Sequence, residues 1–426
     1  MEGRVQYEEV LEISYFGGIK EARFEIKPIT VLIGPQASGK SVVAKLLYFF
    51  REFWLDAYDA SQAFADVDAI LQKFKQKFSE LFPPGTWPVS EFTIKYHIEK
   101  ESISIIRKER DSLDVHLSTE MQKWVESIVQ DFVDNINKRR WNDFDYFLVW
   151  SKKVFPAKHS SNLLLPRYNT FIPASRGILY LIDKLKFSLL RSRNIIDRFL
   201  LSFGSSYDSA RNEKLLNAYS LETNPHLNAT SFTSLIQQIL QGKYVPTKNE
   251  DFLEVADGRI VPMHFASSGQ QESLPLLVVL EELAGNYNDH EPHALYVEEP
   301  EAHLFPASQR AMVELLAQFF NASAPGSNLI ITTHSPYVLT VLDNLIKAGE
   351  LSSTLEDQGK LDQINQIVPP ELQIRLNNVA AYSLANGTAA SIIDQEVGLI
   401  AADPIDEVGE YIDKEFSQLI DVEYDF

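Results

Sequence analysis

A chain of 426 residues with no cysteine and a formal net charge of −20 is long enough for a large core with an attached lobe. The absence of cysteine excludes disulfides, thiolate zinc sites and cysteine nucleophiles, and it fits a cytoplasmic protein. No uninterrupted run of about 18 apolar residues is present, so we expect no membrane span. The acidic balance argues against a protein that coats DNA non-specifically, because such proteins are usually basic.

The charge is unevenly distributed. Acidic residues crowd the segment after Ser391, whereas basic residues cluster at 73–77, 138–140, 152–153 and 184–198. Such clusters are usually solvated helix faces. A local contact with nucleic acid therefore stays open but is not favoured.

The first predicted elements are a hairpin in residues 6–30, turned at Gly17-Gly18, and a buried strand at 31–33. The apolar-rich segment 42–50 predicts a helix. Between strand and helix lies G-x-x-x-x-G-K-S, the pattern of a phosphate-binding loop. A chance match in a glycine-containing turn is the alternative, but the strand before and the helix after are the context that the motif requires.

The backbone amides of such a loop can point at phosphate oxygens, helped by the positive end of the following helix. Lys40 would reach the β- and γ-phosphates, and Ser41 would give its hydroxyl to Mg²⁺. We therefore predict a site for ATP and Mg²⁺. Its candidate residues in the loop are Gly34, Gln36, Ser38, Gly39, Lys40 and Ser41.

The middle of the chain is predicted to be helical with short antiparallel strands. Residues 138–162 show no clean period, and an apolar patch follows at 163–176. The predicted elements are an amphipathic helix at 60–80, a β-meander at 92–98, 102–106 and 113–117, an amphipathic helix at 121–136, a helical region at 177–242 interrupted near Gly204 and at Pro225, and a hairpin at 244–261 turned at Asp257-Gly258.

From residue 263 to 345 helices and strands alternate, which predicts a parallel sheet covered by helices. These elements are helices at 274–283, 306–320 and 337–346, with strands at 294–297 and 329–332. Beyond them we expect a short strand at 379–384, a turn at Asn386-Gly387 and a helix at 405–420.

Residues 265–272, Phe-Ala-Ser-Ser-Gly-Gln-Gln-Glu, open one of these helices. Small hydroxyls and a glycine at a helix N-terminus can form an anion site. The same pattern is also an ordinary loop and cap. Ser268 and Gly269 are therefore candidates only in combination with the other motifs.

Residues 294–301 read as an apolar strand that ends in Glu298, Glu299, a proline and a further glutamate. Paired carboxylates after a buried strand suit a Mg²⁺-nucleotide site. One can hold the metal, and the next can orient and deprotonate the attacking water. A solvated acidic loop is the less favoured alternative.

The strand at 329–332 delivers His334 near its carboxyl end, where ligands bind in open α/β sheets. Lone histidines are more often structural than catalytic. In this order of motifs, His334 is predicted to hydrogen-bond the γ-phosphate.

Taken together, the four motifs resemble those of ABC-type ATPases of the RecF/SMC kind, and most of all the ATPase part of the OLD family and its stand-alone relatives in antiphage systems. The resemblance covers residues 8–60 and 260–346, and residues 171–176 and 379–387 also resemble segments of these proteins. It implies an α/β fold. The expected ABC-type P-loop ATPase core has a mixed, largely parallel sheet with flanking helices, an N-terminal antiparallel β portion and an inserted helical lobe.

The resemblance also implies roles for individual residues. Lys40 and Ser41 would bind phosphate and Mg²⁺, Glu298 would support the metal, Glu299 would be the catalytic carboxylate and His334 the switch histidine. Glu298 is one methylene longer than the aspartate usual at this position, which would loosen the metal geometry and slow hydrolysis.

In these relatives the residues corresponding to Ser268 and Gly269 act in trans, on ATP held by a second subunit. The chain is therefore expected to form at least a dimer. Phe305 stands where histidine is frequent. Tyr15 and Phe16 are candidates to stack on adenine, although core positions are favoured for both, and no Mg²⁺-contacting glutamine can be placed.

OLD nucleases carry a Toprim domain after the ATPase, but the segment after His334 lacks its glutamate and Asp-x-Asp pattern, so we expect no nuclease in this chain. The expected partners are a separate effector, such as a nuclease, and a phage-encoded trigger. The predicted divisions are the N-terminal half of the core at 1–60, a helix and β-meander at 61–120, a helical insertion lobe at 121–243, the C-terminal half of the core at 244–350, and an acidic C-terminal segment at 351–426.

Three functions compete at this point. The first is an ATP-driven sensor or scaffold that controls an effector in antiphage defence. The second is a DNA repair or maintenance ATPase that clamps DNA when it dimerises on ATP. The third, a transporter subunit, ranks last because the acidic motif and the large insertion do not resemble transporter ATPases.

Overall fold

The computed structural model describes residues 8–62, 66–108, 112–135, 168–179, 197–287, 292–355, 358–394, 396–401, 414–415 and 417–418. Its strands are β1 Glu9–Phe16, β2 Ile19–Glu25, β3 Ile29–Ile33, β4 Phe92–Ile98, β5 Glu101–Arg107, β6 Asp114–Leu117, β7 Tyr168–Ile172, β8 Lys243–Val245, β9 Phe252–Glu254, β10 Ile260–Pro262, β11 His293–Glu298, β12 Asn328–Thr333, β13 Val379–Ala385, β14 Thr388–Ser391, β15 Ile393–Asp394 and β16 Leu399–Ile400. Its helices are α1 Lys40–Arg51, α2 Phe53–Gln62, α3 Val67–Leu81, α4 Thr119–Asn135, α5 Arg198–Leu216, α6 Ala229–Leu240, α7 Ser268–Gly285, α8 Pro306–Ala322, α9 Pro336–Thr354 and α10 Gln358–Ile367.

Within the described residues, one sheet of eleven strands runs in the order β6-β5-β4-β1-β2-β14-β13-β3-β12-β11-β7. Five neighbouring strands, β13, β3, β12, β11 and β7, pair in parallel. The strands β1, β2, β4, β5 and β6 pair antiparallel with one another. The sheet is therefore mixed, with an antiparallel N-terminal part, as the sequence predicts.

The parallel strands are buried on both faces, because a helical layer covers each one. Every residue of β3 is buried, and its side chains alternate between two cores. Val31 and Ile33 join the core under α5 to α9, and Leu32 joins the core under α1 to α4. This double burial explains why β3, β11 and β12 read as continuous apolar runs rather than as alternating strands.

The strand predicted at 379–384, in the acidic C-terminal segment, is confirmed as β13. It lies in the middle of the sheet, between β14 and β3, a position that the sequence does not predict. Its register pairs Val379 with Ile29 and Ser383 with Ile33. Residues 379–391 are therefore part of the core sheet.

Several predicted features of the middle of the chain also change. The interruption expected near Gly204 is wrong, because α5 is continuous from 198 to 216. The hairpin predicted at 244–261 gains a strand, since β8 pairs with β9 and β9 pairs with β10, which follows the predicted Asp257-Gly258 turn. β7, inside the predicted helical lobe, pairs with β11 in the main sheet.

Residues 138–162 and most of the helix predicted at 405–420 lie outside the described residues. The division of the chain into domains therefore stays a prediction. No helix in the described part of the chain is long and apolar enough to cross a membrane.

Candidate functional site

The sequence motifs meet at one edge of the parallel part of the sheet. β3, β11, β12 and β7 run parallel, so their carboxyl ends lie on the same edge. The phosphate loop follows β3, Glu298 ends β11 and His334 directly follows β12. Open α/β sheets bind their ligands at this edge.

Two glycines allow the phosphate loop to take its shape. Gly34 has φ 151° and Gly39 has φ 100°, a region that favours glycine. A Cβ at Gly34 would lie 2.2 Å from the carbonyl oxygen of Leu384, and one at Gly39 would lie 2.8 Å from Cγ1 of Ile19. Space and backbone conformation therefore both require glycine at these positions.

The N-terminus of α1 is open to an anion. Gly39 caps α1 without a side-chain hydrogen bond, whereas the side chains of Asp66, Asp197, Asn228 and Ser267 cap α3, α5, α6 and α7. The first amides of a helix have no partner within the helix and carry a partial positive charge. At α1 these amides are available to phosphate oxygens.

Lys40 is buried at the start of α1 and is held by the loop itself. Its Nζ donates to the carbonyl oxygens of Gly34 and Pro35, both at 2.8 Å, and lies 3.4 Å from Nδ1 of His334. Burial lowers the pKa of Lys40, and the carboxylates of Glu299, then Glu301 and Glu298, oppose that shift. These carboxylates favour the charged ammonium.

His334 links the lysine to the acidic motif. Its Nε2 lies 3.0 Å from Oε1 of Glu299. Because Lys40 is a donor, Nδ1 of His334 accepts and its Nε2–H donates to Glu299. Lys40, His334 and Glu299, predicted separately from three motifs, thus form one hydrogen-bonded chain.

Glu299 has an unusual backbone for a residue with a side chain. Its φ is 44°, in the left-handed region, and its amide donates to the carbonyl of Thr332 at 2.8 Å. Such conformations are costly outside glycine and persist where the surrounding structure imposes them, often at functional sites. The turn directs Glu299 away from the path of β11 and towards His334.

Glu298 and Ser41 fit the predicted metal role. Oε2 of Glu298 accepts from the amide of Ala174 at 3.1 Å, whereas its buried Oε1 has no hydrogen-bond partner among the described residues. Ser41 is exposed in the first turn of α1. No cluster of three or more His, Asp or Glu side chains in the described ranges forms a metal site of its own. One carboxylate and one hydroxyl suit Mg²⁺, which usually takes its other ligands from phosphate and water.

Of the remaining loop candidates, Gln36 is exposed, and the buried Oγ of Ser38 has no hydrogen-bond partner among the described residues. A hydroxyl beside the first amides of a helix suits phosphate oxygens. Phe16 packs in the core against Phe78 and Phe92, so it is not free to stack on adenine. Tyr15 is 59% exposed at the end of β1.

Ser268 and Gly269 form the first turn of α7, which packs on the turn at His303. Ser267 caps α7 in a capping box with Gln270, and Ser268 is exposed. A Cβ at Gly269 would lie 2.5 Å from the carbonyl oxygen of His303, so glycine permits close packing on the acidic turn. Within the described part of the chain, no hydrogen bond joins this turn to Lys40.

Two buried residues that hold His334 and the acidic motif in place were not predicted from the sequence. Glu301 is buried, and its Oε1 accepts from Oγ1 of Thr333 at 2.7 Å and from the amide of His334 at 2.8 Å. Arg176, fully buried, donates to main-chain carbonyls of the acidic motif. The resemblance of segment 171–176 to related ATPases was a sequence signal for Arg176, but that resemblance assigned the residue no role.

Comparison with known proteins places this site in a family. A family model described as "AAA ATPase domain" matches residues 64–339, which include Arg176 and His334 and begin after the phosphate loop. The chain belongs to the AAA ATPase domain family. This assignment confirms the ATPase class expected from the motifs. No curated protein matches the chain.

Solved structures that are similar to this chain include SMC heads. The SMC head domain from Thermotoga maritima is 13% identical with a TM-score of 0.35, over 91% of this chain and 98% of that one. An SMC head bound to the C-terminal winged-helix domain of ScpA is 12% identical with a TM-score of 0.41, over 92% and 100%. An SMC head with an extended coiled coil, bound to the C-terminal domain of ScpA and derived from Pyrococcus furiosus, is 11% identical with a TM-score of 0.38, over 91% and 95%.

Proposed function

We propose that this chain binds ATP with Mg²⁺ at the phosphate loop and hydrolyses it with Glu299 as the catalytic carboxylate. The observation that carries the proposal is the hydrogen-bonded chain from Lys40 through His334 to Glu299. It brings a phosphate-binding cation, a neutral donor and a carboxylate base together at the carboxyl edge of a parallel sheet. A solvated acidic loop would not form this chain.

The residues divide the work in the following way. The amides of the loop and of the α1 N-terminus, with Lys40, bind the β- and γ-phosphates, and Lys40 exchanges its two loop carbonyls for phosphate oxygens. Ser41 and Glu298 hold Mg²⁺, which when bound neutralises phosphate charge. Glu299 orients a water molecule and accepts its proton as the water oxygen bonds to the γ-phosphorus and ADP leaves, and the Nε2–H of His334 moves from Glu299 to an oxygen of the γ-phosphate.

A second copy of the chain would complete the site. Ser268 is exposed in the first turn of α7, so its hydroxyl is accessible to a second copy, and within the described residues no hydrogen bond joins this turn to Lys40 of its own chain. Ser268 and Gly269 of one copy would close on ATP held by the other. ATP would then join subunits, and hydrolysis would release them.

Two variants test the ATPase. Lys40→Ala should abolish binding of a fluorescent ATP analogue. Glu299→Gln should bind ATP normally but lower kcat by about 10²- to 10⁴-fold, the usual contribution of a general base. Glu254→Gln, at an exposed glutamate on β9, is the matched control and should behave as wild type. Hydrolysis by Glu299→Gln at the wild-type rate would refute the proposed catalytic role.

The second copy can be tested by mixing variants. A mixture of Lys40→Ala and Ser268→Arg chains should regain part of the ATPase activity that each lacks alone, because one mixed site would have an intact phosphate loop and an intact α7 turn. Light scattering should show ATP-dependent dimers for Glu299→Gln. Hydrolysis by a chain that stays monomeric at every ATP concentration would contradict the shared site.

At the cellular level we propose that the ATP cycle controls a separate effector, such as a nuclease, in antiphage defence. The support is the resemblance of the motifs and of the tail to stand-alone antiphage ATPases, among them the ATPase subunit of the PARIS system. Affinity capture of the Glu299→Gln chain from its host, followed by mass spectrometry, should recover an effector in an ATP-dependent manner. Tight, salt-sensitive and ATP-dependent DNA binding by the isolated chain would instead favour a DNA maintenance ATPase.

A further inference from the structure

Arg176 is fully buried, with an exposed fraction of 0%. Among the described residues, its ion-pair partner is Glu272, whose Oε1 lies 4.0 Å from Nε of Arg176. Burial lowers the pKa of Arg176, while Glu272 and then Glu301, Glu298 and Glu299 oppose that shift. A buried guanidinium is expensive unless its donors are satisfied, so the place where they point is informative.

The guanidinium donates to main-chain carbonyls within the acidic motif and within its own segment. Nη1 donates to the carbonyl oxygen of Glu298 at 2.7 Å and to that of Pro173 at 3.2 Å, and Nη2 donates to that of Glu299 at 2.9 Å. The planar fork of arginine can bind such a set of acceptors in one fixed geometry. Arg176 therefore fixes the peptide groups on which Glu299 is mounted.

This contact matters because Glu299 is in the left-handed region. The φ of 44° orients its carboxylate towards His334, and relaxation to an ordinary conformation would move that carboxylate. The hydrogen bond from Arg176 to the Glu299 carbonyl opposes this relaxation.

The same guanidinium reaches the helix that carries Ser268 and Gly269. Its Nε donates to the carbonyl oxygen of Glu272 at 3.0 Å, one turn into α7. The packing beside it is tight, because a Cβ at Gly177 would lie 2.1 Å from Oε2 of Glu272. A displacement of the first turn of α7 would therefore move the guanidinium and the backbone of the catalytic carboxylate together.

We propose that Arg176 is a positioning residue that couples the first turn of α7 to the left-handed backbone of Glu299. When a second copy engages Ser268 and Gly269, the placement of α7 sets the placement of the catalytic carboxylate through this one side chain. The inference rests on the proposed function, since it takes Glu299 as the group that activates water.

The test is Arg176→Lys, which keeps a positive charge but loses the planar fork. We expect kcat to fall about 10- to 100-fold, the usual effect of a small displacement of a catalytic group. The Kd of a fluorescent ATP analogue should stay within about twofold of wild type, because the residue does not touch the phosphate loop. Methylguanidine added to Arg176→Ala should restore part of the kcat.

The matched control is Arg51→Lys. Arg51 is also buried, but its Nε and Nη2 donate to the carboxylate of Glu9, far along α1 from the phosphate loop. Arg51→Lys should lower the Tm without lowering the kcat of the folded protein. If Arg176→Lys lowers only the Tm and keeps the wild-type kcat, Arg176 is merely structural and the proposal is overturned.

Two further variants distinguish the outcomes that remain. If Arg176→Lys does not fold, Gly177→Ala decides, because it displaces Glu272 while Arg176 stays intact. A reduced kcat with unchanged ATP affinity supports the coupling, and an unchanged kcat overturns it. Glu299→Gln separates the two claims. Wild-type hydrolysis by that variant defeats the proposed function, whereas an inactive Glu299→Gln beside a fully active Arg176→Lys defeats the coupling alone.

Discussion

Arg51, at the antiparallel part of the main sheet, and Arg176, at its parallel edge, are both buried, and their guanidinium groups are satisfied in different ways. Arg51, which joins the antiparallel part, faces Glu9 with bonds of 2.8 and 2.7 Å, and the hydroxyl of Tyr96 donates to the same carboxylate at 2.6 Å. Arg176, at the parallel edge, binds main-chain carbonyls instead. Arg51 and Glu9 form an ion pair, whereas the donors of Arg176 hold the backbone of a loop in place.

This difference indicates what each part of the molecule does. In the antiparallel part, Arg51 and Glu9 satisfy one another, an arrangement that serves stability. The parallel part leaves groups incompletely satisfied at its carboxyl edge, among them Oε1 of Glu298 and Oγ of Ser38. It also holds Glu299 in a strained conformation. These are features that a ligand can use.

The largest expected effect is that of Glu9→Gln, which removes the charge that Arg51 needs. Breaking a buried ion pair by changing one partner costs about 3 kcal/mol. The unfolding free energy of Glu9→Gln, measured by urea titration, should therefore be lower than that of wild type by about 3 kcal/mol. The kcat of the folded protein should not change. An unchanged unfolding free energy would contradict this comparison, because Arg51 would then need no charged partner.

Gly34→Ala should cost about 1–3 kcal/mol through backbone strain at φ 151°, and it should also abolish ATP binding. Gly349→Ala is the matched control, since its Cβ would lie 2.1 Å from the carbonyl oxygen of Ile374, away from the phosphate loop. Calorimetry should show that both variants lose stability. Fluorescent ATP binding should show that only Gly34→Ala loses affinity, and equal affinities would contradict the role of this loop.

Tyr296→Phe should give the smallest effect, about 1 kcal/mol, the usual contribution of one hydrogen bond. The Tyr296 hydroxyl accepts from Nη1 of Arg51 at 3.1 Å, although Tyr296 lies on β11, which ends at Glu298. Thermal unfolding measures the loss of stability. If kcat also falls, the antiparallel and parallel parts of the sheet are coupled through β11.

Much of this arrangement could be predicted because its signals are local. Strand β3, the glycine loop and α1 follow one another in sequence, and period and turn residues place them within a few positions. The carboxyl-edge rule then brings Glu299 and His334 to the same site. The left-handed φ of Glu299 has no such signal, because nothing in the side-chain pattern encodes it.

What could not be predicted depends on contacts without a residue-type signature. The acceptors of Arg176 are main-chain carbonyls, which every residue carries, so no sequence pattern marks them. The place of β13 depends on pairing with β3, which is distant in sequence, and its alanine-rich strand has a weak local preference. Glu301 was part of a predicted motif, but its bond to the amide of His334 required the fold.

The central position of β13 sets the order in which the molecule can be built. The hydroxyl of Tyr382 donates to the carbonyl of Glu25 across 357 positions, and the carbonyl of Gly387 accepts from the amide of Lys20. During synthesis, β2 and β3 therefore each lack one of their two neighbouring strands until residues 379–391 are made. Long-range pairing of this kind is slow to form and leaves strand edges exposed meanwhile. A ribosome must thus release nearly the whole chain before the phosphate loop acquires its final wall, so a nascent chain stalled before residue 379 should not retain ATP.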